Sequence, residues 1–130
     1  MKESNEQVVR EAYAAFSRGD MKHLRSMMRE DVIWHEPGKS LISGTYQGPT
    51  AVTGLFRKYG ELSGGTFRVE TIHDVLNSTD HAATVATVRG ERNAKSMKDT
   101  DTILFRVVDG KLGEAWVFYR DQGAVDLFWS

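Results

Sequence analysis

The stretch "ILFRVVDGKLGEAWVFYR", residues 103–120, decides how the chain is organised. Two runs rich in β-branched and aromatic residues flank Asp109-Gly110, a dipeptide that accepts the positive φ angles of a tight hairpin turn. Residues 98–108 and 112–120 therefore read as two long antiparallel strands. Residues 81–92 read as another. Before it, residues 66–76 alternate Phe67, Val69, Thr71, His73 and Val75 against Arg68, Glu70, Ile72, Asp74 and Leu76, and "NSTD" at 77–80 makes the turn. Neither alternating set is wholly polar, so the sheet is expected to be covered on both faces.

Working towards the N-terminus, the period becomes helical. Ser4 and Gln7 have capping-box spacing, and Val9, Tyr13 and Phe16 form a stripe with Ala12 beside it. Gly19 suits a left-handed helix end, and Asp20 caps a second short helix carrying Leu24, Met27 and Met28. The tripeptide "RGD" is thus a turn between helices rather than an adhesion motif. A third helix is expected from Thr50 as cap, with Val52, Leu55, Phe56 and Tyr59 on one face and Gly64-Gly65 at its end. Between the second and third helices, "VIWHEPGKSLISGTYQG", residues 32–48, reads as a short strand at 32–36 and a glycine-bearing loop. The tail "QGAVDLFWS" is too apolar to stay in water and is expected to fold back. Helices followed by a strand meander define an α+β domain, with helices on one face of a curved antiparallel sheet. No repeat, linker or low-complexity segment divides residues 1–130, which read as one domain.

Composition removes several function classes. The chain has 130 residues, 40% hydrophobic and 27% charged, as in an ordinary globular protein. A net charge of -1 gives no electrostatic footprint for nucleic acid or an anionic membrane. No cysteine is present, so disulfides, thiolate metal sites and cysteine nucleophiles are excluded. The N-terminal "MKESNEQVVREAY" lacks the apolar core of a signal peptide, and no apolar run approaches the ~20 residues that span a bilayer, so the expected location is cytoplasmic.

His35 and Glu36 are the first candidates for chemistry. Side chains alternate along a strand, so Trp34 and Glu36 share one face while Ile33 and His35 share the other. Only one of the neighbours can look into a pocket behind the helices, unless a bulge at Pro37 re-aims it. A carboxylate beside an indole is partly desolvated, which raises its pKa and suits a base near neutral pH. The competing reading is a solvated strand end. Asp99 and Asp101 lie in phase and can form an acid–base pair or cation site, although the wet end of a strand is the commoner arrangement. Arg89 and Glu91, also in phase, are expected to form an ion pair within the sheet. His23, His35, His73 and His81 lack the spacings that place two imidazoles on one metal ion. Tyr13, Phe16, Trp34, Phe56, Tyr59, Trp116 and Tyr119 can line a cavity for a flat apolar ligand. No phosphate-cradling loop or G-x-S-x-G elbow occurs.

"AAFSRGDMKHLRSMM", "DVIWHEPG", "GTYQGPTAV" and the segment from Ile103 to Ser130 together resemble SnoaL-like proteins of the nuclear transport factor 2-like superfamily, relatives of ketosteroid isomerase. The resemblance spans essentially the whole chain. It implies a cone in which a curved sheet wraps the N-terminal helices, a pocket at the open end, and homodimerisation through the convex face. It implies no metal or organic cofactor. In ketosteroid isomerase-like members the general base is an acid directly before a proline on the first strand, and Glu36 stands there. The implied activity is proton abstraction beside the carbonyl of a small hydrophobic, cyclic or aromatic compound, as in an isomerase or polyketide cyclase. Glu36 would be the base, His35 an auxiliary, and Tyr13 or Tyr119 a donor. The W-H-x-P-G form of the strand makes His35 the second candidate. The chain departs from the pattern at Ala12 and Ile103, where the family's oxyanion donors stand, with Tyr13 and Asp101 as the nearest substitutes. A limonene-epoxide hydrolase site would use Arg89 and Glu91, but its remaining acid falls at Val117 or Phe118. The alternative function on this fold is a non-catalytic ligand-binding or dimerisation domain.

Overall fold

A computed structural model describes residues 4–130; residues 1–3, the start of the polar N-terminal stretch, lie outside the described residues. Ser4 opens α1 (Asn5–Ser17) with a reciprocal cap: its hydroxyl accepts from the Gln7 backbone N–H at 3.1 Å, and the Gln7 side chain accepts from the Ser4 N–H at 2.8 Å. Gly19 follows at φ +72°, and the Asp20 carboxylate accepts the His23 N–H at 3.0 Å to start α2 (Met21–Ser26). The chain continues through β1 (Met28–Glu36), β2 (Gly44–Gln47), α3 (Pro49–Leu62), β3 (Arg68–Asn77), β4 (His81–Arg92), β5 (Lys95–Val108), β6 (Lys111–Tyr119) and α4 (Gln122–Phe128).

One six-stranded sheet runs in the order β2-β1-β6-β5-β4-β3. The last four strands form the expected antiparallel meander, and Asp109 and Gly110 turn between β5 and β6 at φ 50° and 74°. The first strand differs from the sequence reading in three ways. It begins at Met28, with a register shift before Ile33; it runs parallel to β6; and its outer edge is covered by β2, which lies inside the expected loop and pairs Tyr46 with Trp34. The α3 cap is Gly48 at φ 87°, with Pro49 at the first helical position, where its missing N–H removes no bond. The Thr50 hydroxyl instead accepts from Arg25 at 3.0 Å.

The concave face is laid down by strand parity. Along β5, Met97, Asp99, Asp101, Ile103, Phe105 and Val107 are buried, and the alternate residues are not fully so. Val32, Trp34 and Glu36 of β1 join them beneath the buried stripes of α1 and α3. Ile33, His35, Leu104, Trp116 and Phe118 are on the convex face, where Phe118 is 56% exposed. Arg89 and Glu91 do not pair with each other. Arg89 reaches Glu70 at 3.3 Å and Glu91 reaches Arg68 at 3.6 Å, because a neighbouring strand offers closer partners than the next residue in phase. Among the described residues, no helix is long and apolar enough to cross a membrane.

The tail folds back as α4, capped by the Asp121 side chain, and buries Val125, Phe128 and Trp129, the last only 1% exposed. This covers the part of β5 where a wet strand end is the commoner expectation. Asp99 and Asp101 are both buried. Asp99 holds the chain together locally, since its two oxygens accept the N–H groups of Arg120 at 3.0 Å and Asp121 at 3.1 Å and so fix the corner between β6 and α4. Asp99→Ala should leave both donors unsatisfied and lower stability by about 1–3 kcal/mol in urea unfolding, with Asp99→Asn losing less. Equal stability of Asp99→Ala and wild type would refute this corner role.

Candidate functional site

A cavity lies between the helices and the concave face. Its walls are apolar except for Tyr13, Trp34, Tyr59, Asp101 and Tyr119. Its volume is about 70 Å³. The edge-on packing of Trp34 on Phe56, centroids 5.0 Å apart, and of Phe16 on Phe56, 5.4 Å apart, stiffens the wall.

Glu36 ends β1 beside this space and is 3% exposed. Its Oε1 accepts the Tyr59 hydroxyl and its Oε2 accepts the Tyr119 hydroxyl, the latter at 2.5 Å. Burial pushes the Glu36 carboxyl up to about 7, although the bonds from Tyr119 and Tyr59 and the nearby Trp34 indole favour its charge. Burial, followed by the Glu36 charge, raises both tyrosines well above their usual range, so they keep their protons. Glu36 is not itself part of the cavity wall; Tyr59 and Tyr119 are, and connect it to the interior.

Asp101 lies directly on the wall, 4% exposed, and its Oδ1 is buried with no hydrogen-bond partner. Burial, then the charge of Glu36, then that of Asp99 push its carboxyl up to about 7. The site thus holds two desolvated acids, and the charge of Glu36 opposes ionisation of Asp101. Trp34 Nε1 is likewise buried without an acceptor. Tyr13 is engaged, its hydroxyl 2.7 Å from Thr84 Oγ1. Among the described residues, no three His, Asp or Glu side chains converge as a metal site requires.

Of the residues singled out from sequence, Tyr13, Phe16, Trp34, Phe56, Tyr59 and Tyr119 meet around the cavity, with Glu36 behind the last two. His35 and Trp116 do not. They are in register on adjacent strands, face the convex side, and stack with centroids 5.6 Å apart and planes 12° from parallel. His35 Nε2 lies 2.6 Å from Glu114 Oε2. Trp116 has the opposite parity to Val117 and Tyr119, which is why the aromatic grouping misplaces it. Asp101 is no strand end: it is in phase with Ile103, Phe105 and Val107, and that phase marks it as interior. Ala12 and Ile103, at the two places where the resemblance expects donors, line the cavity as apolar groups.

The SnoaL-like domain family matches residues 9–115, and the chain belongs to this family. It is 32% identical to an uncharacterised protein of Mycobacterium tuberculosis over 95% of this chain and 94% of the relative. Among solved structures it is similar to Bal32a from a soil-derived mobile gene cassette, with 35% identity, a TM-score of 0.93, and 97% and 96% of the two chains covered. A nuclear transport factor 2-like protein of Burkholderia xenovorans shares the fold at 22% identity and TM-score 0.87, over the full length of both chains. So does a putative polyketide cyclase of Sinorhizobium meliloti, at 18% identity and TM-score 0.71, over 86% of this chain and 94% of that one.

The two acids make a signed prediction for stability. Glu36 rises from 4.5 and Asp101 from 3.8, each to about 7, so across that window the folded state binds more protons than the unfolded chain. Stability therefore falls as pH rises from about 4 to about 7 on account of this pair. Asp101→Asn should flatten the fall and gain most over wild type above neutral pH, measured by urea unfolding along a pH series. Parallel wild-type and variant curves would show that Asp101 does not titrate there.

Proposed function

We propose that this protein is an enzyme that moves a proton next to the carbonyl group of a small hydrophobic, cyclic or aromatic compound, in the manner of ketosteroid isomerases and polyketide cyclases. The observation that carries the reading is Glu36, a buried carboxyl poised near neutrality and held by two tyrosine hydroxyls that line an apolar cavity. A base whose pKa lies near the working pH is both available and strong enough to act. In the proposed step, the substrate C–H bond breaks towards the Tyr119 oxygen as the Tyr119 proton passes to Glu36. The products are an enolate and a neutral Glu36, and the reverse transfer delivers the proton to the same carbon or another. Trp34 Nε1, buried near Glu36 with no acceptor in hydrogen-bond geometry, suits the enolate oxygen. The fold shared with a putative polyketide cyclase supports the reading at the level of architecture.

The same cavity supports a second reading, a ligand-binding domain without catalysis. Apolar Ala12 and Ile103 at the expected donor positions favour it. The two readings separate in deuterated water. Wild type should exchange the α-hydrogens of small aryl and cyclic ketones, and Glu36→Gln should do so about 10²–10⁴-fold more slowly. Saturable ketone binding without exchange in wild type would leave the binding domain.

We also propose that the convex face, with Trp116 and exposed Phe118, receives a second copy of the chain. Phe118→Asp should then shift the mass seen by light scattering from dimer to monomer with the fold intact. A wild-type monomer at high concentration would exclude the dimer.

A further inference from the structure

Five side chains bring polar atoms to the cavity: Tyr13, Trp34, Tyr59, Asp101 and Tyr119. Three are committed elsewhere, Tyr13 to Thr84 at 2.7 Å, and Tyr59 and Tyr119 to Glu36. Trp34 and Asp101 each keep a buried polar atom with no partner. The contrast with Asp99, two residues away in the same phase, is informative, because both its oxygens accept backbone N–H groups. A buried carboxyl oxygen with no donor lowers stability, and no hydroxyl or N–H of the cavity wall lies in hydrogen-bond geometry to Asp101 Oδ1. A fold does not need that arrangement; a ligand that completes it explains it.

We propose that Asp101 is the residue that selects the substrate, by accepting a hydrogen bond from a hydroxyl or N–H group on the ligand ring. The ligand class is then a flat hydroxylated ketone, aryl or cyclic, with a hydroxyl directed at Asp101 and a carbonyl turned towards Trp34 and the tyrosines. The carbonyl half rests on the proton-transfer reading above. The hydroxyl half rests on the unpartnered carboxyl alone. A carboxyl oxygen accepts from a hydroxyl in either protonation state, so the assignment holds on both sides of neutrality.

A matched pair of probes tests it. 4-Hydroxyacetophenone and 4-methoxyacetophenone share ring, carbonyl and exchangeable methyl hydrogens, and differ in the donor. Calorimetric titration of wild type should show the hydroxylated ketone binding about tenfold more tightly. Asp101→Leu should abolish that preference and raise the midpoint of thermal unfolding of the ligand-free protein, because a destabilising buried group has been removed. Asp101→Val, suited to a strand, repeats the test should the leucine variant fail to fold. Equal wild-type affinities, no binding of the hydroxylated ketone at millimolar concentration, or a preference that survives in the variants would overturn the assignment. Methyl hydrogen exchange in the same samples keeps the two proposals apart. A hydroxyl preference without exchange removes catalysis and retains Asp101's role, and exchange without a preference does the reverse.

Discussion

Burial takes Glu36 out of bulk solvent, and the hydroxyls that hold it come from distant parts of the chain. Tyr59 is presented by α3 and Tyr119 by the end of β6, so one carboxylate joins a helix and two strands at the rim of the cavity. The tie sets the depth of the site. It requires β1 to lie beside β6, which the parallel pairing of His35 with Trp116 provides, and it requires α3 to sit over β1. The edge strand β2 then protects β1, where a long exposed edge would invite pairing with another chain.

A second acid in the same low-dielectric space changes the energetics. The charge of Glu36 raises the affinity of Asp101 for its proton, so near neutrality the site resists holding two charges. The difference between them lies in their partners. Glu36 has two donors fixed by the fold, whereas Asp101 has none on Oδ1. A protein selected for stability alone would place an apolar residue at Asp101, as it does at Ile103 and Phe105 on the same face. Strain or desolvation retained in one place and absent from its neighbours is characteristic of sites that meet a ligand.

Much of the architecture could be read in sequence because it is local. The capping box at Ser4, the left-handed Gly19 before Asp20, and the Asp109-Gly110 turn act within four residues of one another and emerged as expected. Parity along β5 and β6 also separates interior from exterior, and applied to Trp116 and Asp101 it moves the first out of the pocket and the second into it. Other features depend on contacts that no local pattern encodes. β2 is four residues long and gains its identity only by pairing with β1. The place of Asp99 depends on the corner that carries the chain from β6 into α4. Tyr59 and Tyr119 are 23 and 83 residues from Glu36, and the bonds between them exist only once the sheet has formed.

The adjacent pair His35 and Glu36 shows how one strand end serves two surfaces. The pleat sends Glu36 inward to the tyrosines and His35 outward, onto Trp116 and towards Glu114. Glu114 is also 3.7 Å from Arg106, so the outer side has a charge network of its own. Neither network shares a side chain with the other, but both hang on the same nine-residue strand and on its pairing with β6. A change that shifts β1 by one residue would exchange the two faces at once, placing an imidazole among the tyrosines and a carboxylate on the outer sheet. The bulge before Ile33 and the turn at Pro37-Gly38 bracket the strand against such a slip. At Gly38, φ is +93° and any side chain would meet Asp126 and Gln122 of α4, so the tail that covers β5 also holds the end of β1 in register.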